Sequence, residues 1–119
     1  NDATLVVFDV QAPGKLINQC EFARLQDGGN GDGLAVDRAG NLYVAAGPGV
    51  QIYNRDGKYV GLIPTPQPGR PTGQAFAGAD RKTLYVVVQA TADANGRPMA
   101  GRTVYRVPVL AQGPPARSK

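Results

Sequence analysis

Three observations predict an all-β fold built from repeated small sheets. The stretch Gly31-Asp32-Gly33-Leu34-Ala35-Val36-Asp37, then Arg38-Ala39-Gly40-Asn41, then Leu42-Tyr43-Val44-Ala45-Ala46, alternates short apolar runs with polar turns. A related pattern follows, Arg70-Pro71-Thr72-Gly73-Gln74-Ala75-Phe76-Ala77-Gly78 and then Thr83-Leu84-Tyr85-Val86-Val87-Val88. Gly33 and Gly73 are forty positions apart, and Tyr43 and Tyr85 forty-two. A repeat of about that period, made of strands alone, marks the blades of a β-propeller. Composition is the third observation: 16 Gly and 10 Pro in 119 residues punctuate short segments, and no segment carries a convincing helical period.

The elements follow in order. Residues 4–10 read as a strand, Ala12-Pro13-Gly14-Lys15 as a turn, and residues 16–25 as a second, more polar strand. Residues 26–32 form a Gly-rich loop. Residues 33–37 and 41–46 are apolar on both faces, as expected of strands sandwiched between neighbouring sheets. Gly47-Pro48-Gly49 turns the chain into residues 50–53. Asn54-Arg55-Asp56-Gly57 is a hairpin turn, because Gly accepts the positive φ needed there. Residues 59–65 complete a four-stranded unit, with Pro64 and Pro66 suited to a sheet edge. The next unit holds residues 73–77, 83–89 and 103–109, with a polar insertion over 90–102 and a tail over 110–119.

The count is therefore two strands, four, then three. It predicts a partial propeller within one domain over 1–119: the end of one blade, one whole blade, and three strands of a last blade. Closing a ring takes at least four blades. The open faces and edges are expected to meet either the remaining N-terminal part of a longer polypeptide or a symmetry partner. Residues 83–89 are uncharged and strongly β-prone, a liability if exposed.

Composition narrows the chemistry. A hydrophobic fraction of 42% supports a packed core, and no window approaches the roughly 18 apolar residues of a membrane span. The first residues, Asn1-Asp2-Ala3-Thr4, lack the basic and apolar regions of a signal peptide. Cys20 is alone, so no internal disulfide forms, and it reads as a packed or edge thiol rather than a nucleophile. The absence of histidine removes Ser-His and Cys-His catalysis and His-ligated zinc from this chain. The net charge of +4 is scattered, apart from Arg81-Lys82 and Arg117-Ser118-Lys119. With no basic stripe interleaved with aromatics, nucleic acid is not an expected partner.

Several of these segments together resemble the SMP-30/gluconolactonase family of six-bladed propellers. They are Asp32-Gly33-Leu34-Ala35-Val36-Asp37 with Gly40-Asn41-Leu42-Tyr43-Val44, and Gly49-Val50-Gln51-Ile52-Tyr53-Asn54-Arg55-Asp56-Gly57-Lys58. To these add Asp80-Arg81-Lys82-Thr83-Leu84-Tyr85-Val86 and Val104-Tyr105-Arg106-Val107-Pro108. The resemblance spans nearly the whole chain and about the C-terminal half of such a protein. It implies hydrolysis of a sugar-type or related lactone with one divalent metal in a central channel. Ca²⁺ is the first expectation, with Mg²⁺, Mn²⁺ or Zn²⁺ as alternatives. Of the family's ligands, only the Asp of a Pro-Asp-Gly turn falls in this region. It matches Asp32, with Gly31 in place of the Pro. The chain alone is expected to be inactive.

The residues themselves leave two readings of Asp32. It is either the cap of an Asx-turn before a strand, or an oxygen ligand to a hard cation. In the second reading it also accepts a proton from the attacking water, which makes it the catalytic residue. Its counterpart in the next blade is Thr72. Asp37, Asp56 and Asp80 read as solvated turn residues, and Tyr43 and Tyr85 as inter-blade packing. The run Asp27-Gly28-Gly29-Asn30-Gly31-Asp32 fits neither the EF-hand nor the nonapeptide calcium pattern, and reads as a flexible approach to the channel mouth. Strands in a blade alternate direction, so residues 90–102 share a face with Asp32. Arg97 and Arg102 there, with Thr72, are candidate substrate-rim residues. Two other functions remain open: a non-catalytic propeller used as a binding scaffold, and a self-assembling half-propeller module.

Overall fold

The computed structural model describes residues 3–28 and 30–115. Asn1-Asp2, Gly29 and Arg117-Ser118-Lys119 therefore lie outside the described residues. Among the described residues nine strands follow one another: β1 (Thr4–Ala12), β2 (Lys15–Arg24), β3 (Gly31–Val36), β4 (Leu42–Ala46), β5 (Gly49–Tyr53), β6 (Tyr59–Pro64), β7 (Gly69–Ala77), β8 (Thr83–Ala90) and β9 (Arg102–Pro108). They form three antiparallel sheets in the expected two-four-three count, β1-β2, β3-β4-β5-β6 and β7-β8-β9. A 3₁₀ turn, Gln26–Gly28, joins β2 to β3. Among the described residues, no helix is long and apolar enough to cross a membrane.

The core lies between the sheets rather than within any one of them. Period-two alternation sends successive β4 side chains to opposite faces. Val44 and Ala46 pack with Ala23, Leu25 and Tyr53 against the first sheet. Tyr43 faces the other way and packs with Val50, Leu84, Val86 and Val88 of the third. Its ring meets Phe76 edge-on at 5.0 Å and 89°, so the inter-blade role expected of Tyr43 holds. Tyr85 is only half-buried, on the open side of the third sheet.

Two expectations about strand burial need correction. β4 is sandwiched as predicted, but β3 is not: Leu34 and Val36 are 56% and 47% exposed. β1 and β2 lie over β4 and β5 and leave the innermost strand uncovered. The liability assigned to residues 83–89 also moves. β8 is central, paired to β7 and β9 on its two sides, and Leu84, Val86 and Val88 are buried. The sheet edges are β1 and β2, β3 and β6, and β7 and β9, and a four-stranded blade would continue at β1 and β9.

Asp37 is the clearest departure from a solvated turn. It is 3% exposed. Its Oδ1 accepts from the Ala39 and Asn41 backbone N–H groups, each at 2.9 Å. Its Oδ2 accepts from Asn41 Nδ2 at 2.8 Å and the Tyr43 hydroxyl at 3.1 Å. The carboxylate is thus fully paired, as a buried charge must be, and it fixes the β3–β4 turn to the core. Asp80 and Asp93 cap their own turns through Lys82 N and through Asn95 N and Arg97 N.

The chain beyond β9 is a strap rather than a loose end. Val109 and Gly113 donate to the Lys82 and Arg81 carbonyls, and Arg38 N donates to Gln112 O at 2.7 Å. Gln112 Nε2 donates to Asp80 O, and Arg81 Nε to Pro114 O. The strap ties the β3–β4 turn to the β7–β8 turn, at the end of the blades away from Asp32.

Burial, with the Asp37 charge and hydrogen bond behind it, pushes the Tyr43 phenol from 10.0 up to about 12. The folded state therefore holds the Tyr43 proton where the unfolded chain has lost it. The stability this confers is complete below pH 10 and declines as pH rises towards 12. Tyr43→Phe should cost roughly 1.5 kcal/mol at neutral pH, for one lost bond to a charged acceptor. It should also flatten the decline in melting temperature across that alkaline window. An unchanged alkaline slope would contradict this. The isolated 119-residue polypeptide should self-associate non-specifically through its uncovered strand edges and faces. Sedimentation showing a compact monomer with cooperative unfolding would contradict the incomplete-blade reading.

Candidate functional site

β3 and β7 are the first strands of their sheets, and they run side by side. Gly33 sets the spacing. A Cβ added there would sit 2.6 Å from Gly73 Cα and 2.8 Å from Thr72 O, inside the contact limit of real side chains. The two backbones touch because this position has no side chain.

At this contact both strands are bulged. In β3, Gly31 pairs with Ala46 and Leu34 with Val44, so Asp32 and Gly33 together oppose Ala45. In β7, Pro71 pairs with Val88 and Gly73 with Val87, leaving Thr72 as the extra residue. A bulge re-aims a side chain and bends its strand. The two residues that the sequence repeat matches, Asp32 and Thr72, therefore share the same local distortion. The sequence reading placed Asp32 in a turn ahead of the strand. It lies inside β3 instead, because the bulge keeps the strand going through Gly31.

The approach to Asp32 is held by polar side chains from β5. Gln51 is 1% exposed. It grips the Gln26 peptide at both ends, Oε1 accepting from Gln26 N at 2.9 Å and Nε2 donating to Gln26 O at 3.1 Å. The Tyr53 hydroxyl lies 2.6 Å from Gln51 Oε1 and 3.0 Å from Arg24 O, sharing its one proton between them. Burial pushes the Tyr53 phenol up, so it remains a donor at neutral pH. Residue 26 is thus anchored at the start of the loop that the sequence reads as flexible.

The Asp32 side chain is exposed and borders a cleft of about 410 Å³ between β1 and β3, with Thr4, Leu5, Leu25, Asn30 and Leu34. Asp37, Asp80 and Asp93 spend their carboxylates on their own turns, whereas no backbone N–H caps onto Asp32 among the described residues. A free carboxylate is a hard oxygen donor suited to a hard divalent cation. No group of three His, Cys, Asp or Glu gathers among the described residues. Asp32 accordingly fits a cation site as a single acidic corner.

The other candidates are dispersed. Thr72 is half-buried, its hydroxyl turned towards Val87 O at 3.4 Å. Gly31 pairs with Ala46 in one blade and Gly69 with Ala90 in the next. This register puts residues 90–102 at the same end of the blades as Asp32. That segment is an ordered hairpin extension, with Ala90 N bonded to Gly101 O, Asp93 N to Arg97 O, and Ala92 bridged to Pro98. Arg97 and Arg102 are exposed along it. Cys20 is exposed on β2. Gln51 and Gln74 escaped the sequence reading; the local signal is an amide in the otherwise apolar β5 for Gln51, and an amide beside Ala75 and Phe76 in β7 for Gln74.

The sequence profile of the SMP-30/gluconolactonase/LRE-like region matches residues 1–90, three-quarters of the chain. The chain belongs to this family. A gluconolactonase of Zymomonas mobilis subsp. mobilis is 36% identical over 55 residues, 46% of this chain and 15% of that protein. A luciferin-regenerating enzyme superposes with a TM-score of 0.76 at 24% identity, covering 94% of this chain and 40% of its own. Regucalcin from Agrobacterium tumefaciens strain C58, described as a calcium-binding protein, superposes with a TM-score of 0.75 at 23% identity and the same coverage. At these identities the superpositions establish the propeller fold alone. The chain spans well under two thirds of every one of these relatives.

Gly33 and Gly73 match in sequence but not in surroundings. Gly33→Ala should force β3 from β7 and cost roughly 1–3 kcal/mol, as overpacking does. Gly73→Ala meets nothing within 4 Å and should be nearly neutral. Thermal denaturation of the intact protein compares them, and equal losses would contradict the one-sided contact.

Proposed function

We propose that this chain contributes one acidic ligand, Asp32, to a metal-dependent lactone hydrolase whose remaining ligands come from other segments. The observation that carries the reading is the free carboxylate of Asp32 on a bulged inner strand, in a chain of the SMP-30/gluconolactonase/LRE-like family. Gluconolactonase activity in the Zymomonas relative supports a lactone as substrate. The all-oxygen chemistry of Asp32 supports Ca²⁺ first, with Mg²⁺ or Mn²⁺ next and Zn²⁺ least.

When bound, a divalent cation would polarise the lactone carbonyl and make water acidic enough to attack it. The chain's own part is binding and proton handling. Asp32 would hold the cation through its carboxylate. As water adds to the carbonyl carbon, Asp32 accepts its proton and the ring C–O bond breaks. The departing ring oxygen takes that proton back from Asp32 and becomes the hydroxyl of the product acid, which restores the carboxylate. Thr72, Arg97 and Arg102 would meet substrate hydroxyls at the rim.

Strand counting supports a partner of different sequence over a second copy. Joining β7-β8-β9 to a copy's β1-β2 would make five strands where a blade holds four. With the remaining ligands on other segments, the chain alone would lack activity.

In the intact protein, Asp32→Asn should weaken Ca²⁺ binding by at least about tenfold and lower kcat/KM for lactones with it. Calorimetric titration and hydrolysis assays read both, and unchanged values would refute the assignment. Replacing residues 90–102 by a Gly-Pro-Gly turn like Gly47-Pro48-Gly49 should reorder kcat/KM among lactones with Ca²⁺ affinity intact. An equal response from every lactone would remove the rim role.

A further inference from the structure

Gln74 stands on β7, two residues beyond Thr72, and reaches back across the blade interface. Its Nε2 donates to Gly33 O at 3.0 Å and to Tyr43 O at 2.8 Å. Both acceptors belong to the neighbouring sheet, one on β3 and one on β4. Two carbonyls facing the same end of the amide fix its orientation, since only the NH₂ end can donate. The other end is the informative one. Oε1 is sealed from solvent and has no hydrogen-bond partner among the described residues.

A buried amide oxygen without a partner is unfavourable. A methionine or leucine would fill the space without that cost. Glutamine at this position therefore has its use in the two N–H groups. Their target is the bulge itself. Asp32 and Gly33 together oppose Ala45, and a bulge disrupts the ladder where it occurs. Gln74 supplies a donor to the Gly33 carbonyl, in the residue that follows Asp32. It ties the same point to Tyr43 on β4, so three strands are pinned by one side chain.

We propose that Gln74 is the positioning residue of the Asp32 carboxylate. By clamping the Gly33 and Tyr43 carbonyls, it locks the β3 bulge in the form that presents Asp32 to a divalent cation. The inference rests on the reading of Asp32 as a cation ligand. Gln74 acts through the backbone of Gly33 and touches neither cation nor substrate.

The test is a double-mutant cycle in the intact protein, with Ca²⁺ alone as the probe and calorimetric affinity as the readout. The variants are Gln74→Met, Asp32→Asn and the pair. Gln74→Met should weaken Ca²⁺ binding about tenfold, the scale of a lost outer-shell partner. In the Asp32→Asn background the same change should have no further effect on Ca²⁺ affinity, while its shift in melting temperature persists. A packing role alone would not produce that coupling. Wild-type affinity in Gln74→Met, or an equal loss in both backgrounds, overturns the positioning role and leaves Asp32 as a ligand. No effect of Asp32→Asn overturns the ligand reading and this proposal with it. A second measurement needs no variant. Saturating Ca²⁺ should slow hydrogen exchange of the Gln74 side-chain amide in the wild-type protein. Exchange unchanged by Ca²⁺ overturns the proposal even if Gln74→Met does not fold.

Discussion

The close approach of β3 and β7 at Gly33 is the constraint on which the rest of the structure depends. With backbone against backbone at 2.6 Å from a notional Cβ, neither strand can shift alone. The contact brings the two bulges, and so Asp32 and Thr72, into fixed relation. The cluster of Tyr43, Val50 and Leu84 fills the space outside this contact, and Val44 and Tyr53 pack on the opposite side of the central sheet against the first.

Polar side chains then set the details that apolar packing leaves loose. Hydrophobic burial is non-directional and does not choose the path of a loop or the aim of a bulge. Gln51 and Tyr53 choose the path into β3 by gripping residues 24 and 26. Gln74 fixes the bulge. Asp37 fixes the turn at the far end of β3, where the strap through Gln112 joins two blades. β3 is thereby held along its length, from the loop before it to the turn after it. A strand restrained in this way can keep a free carboxylate at its start without the turn folding back to cap it.

The strand count was legible because its punctuation is local. Gly47-Pro48 and Asn54 to Gly57 announce turns through their own backbone preferences, and the apolar run of β4 announces burial on two sides. The beginnings of β3 and β7 were less legible. Gly31, Asp32 and Pro71 are poor strand formers by propensity, yet tertiary contact carries the strands through them. The fate of Asp37 was hidden as well. An Asp after a strand reads as a solvated turn until Asn41 and Tyr43 close over it. For Asp32, the repeat and the family resemblance pointed to the residue, but the absence of a cap is a fact of geometry. Gln51 and Gln74 were invisible for a simpler reason. Their partners lie 25, 31 and 41 residues away, beyond any local pattern.

The family of this chain and its free Asp32 carboxylate converge on one claim, that an inner-strand bulge delivers a ligand to a shared divalent cation. The most direct measurement is a crystal structure of the intact protein grown with Mn²⁺ and mapped by anomalous scattering. The account predicts a metal peak at direct coordination distance from an Asp32 carboxylate oxygen, about 2.0–2.6 Å for a hard divalent ion, with the β3 bulge unchanged. A fully occupied metal held elsewhere, with Asp32 facing solvent or turned onto its own backbone, would contradict it.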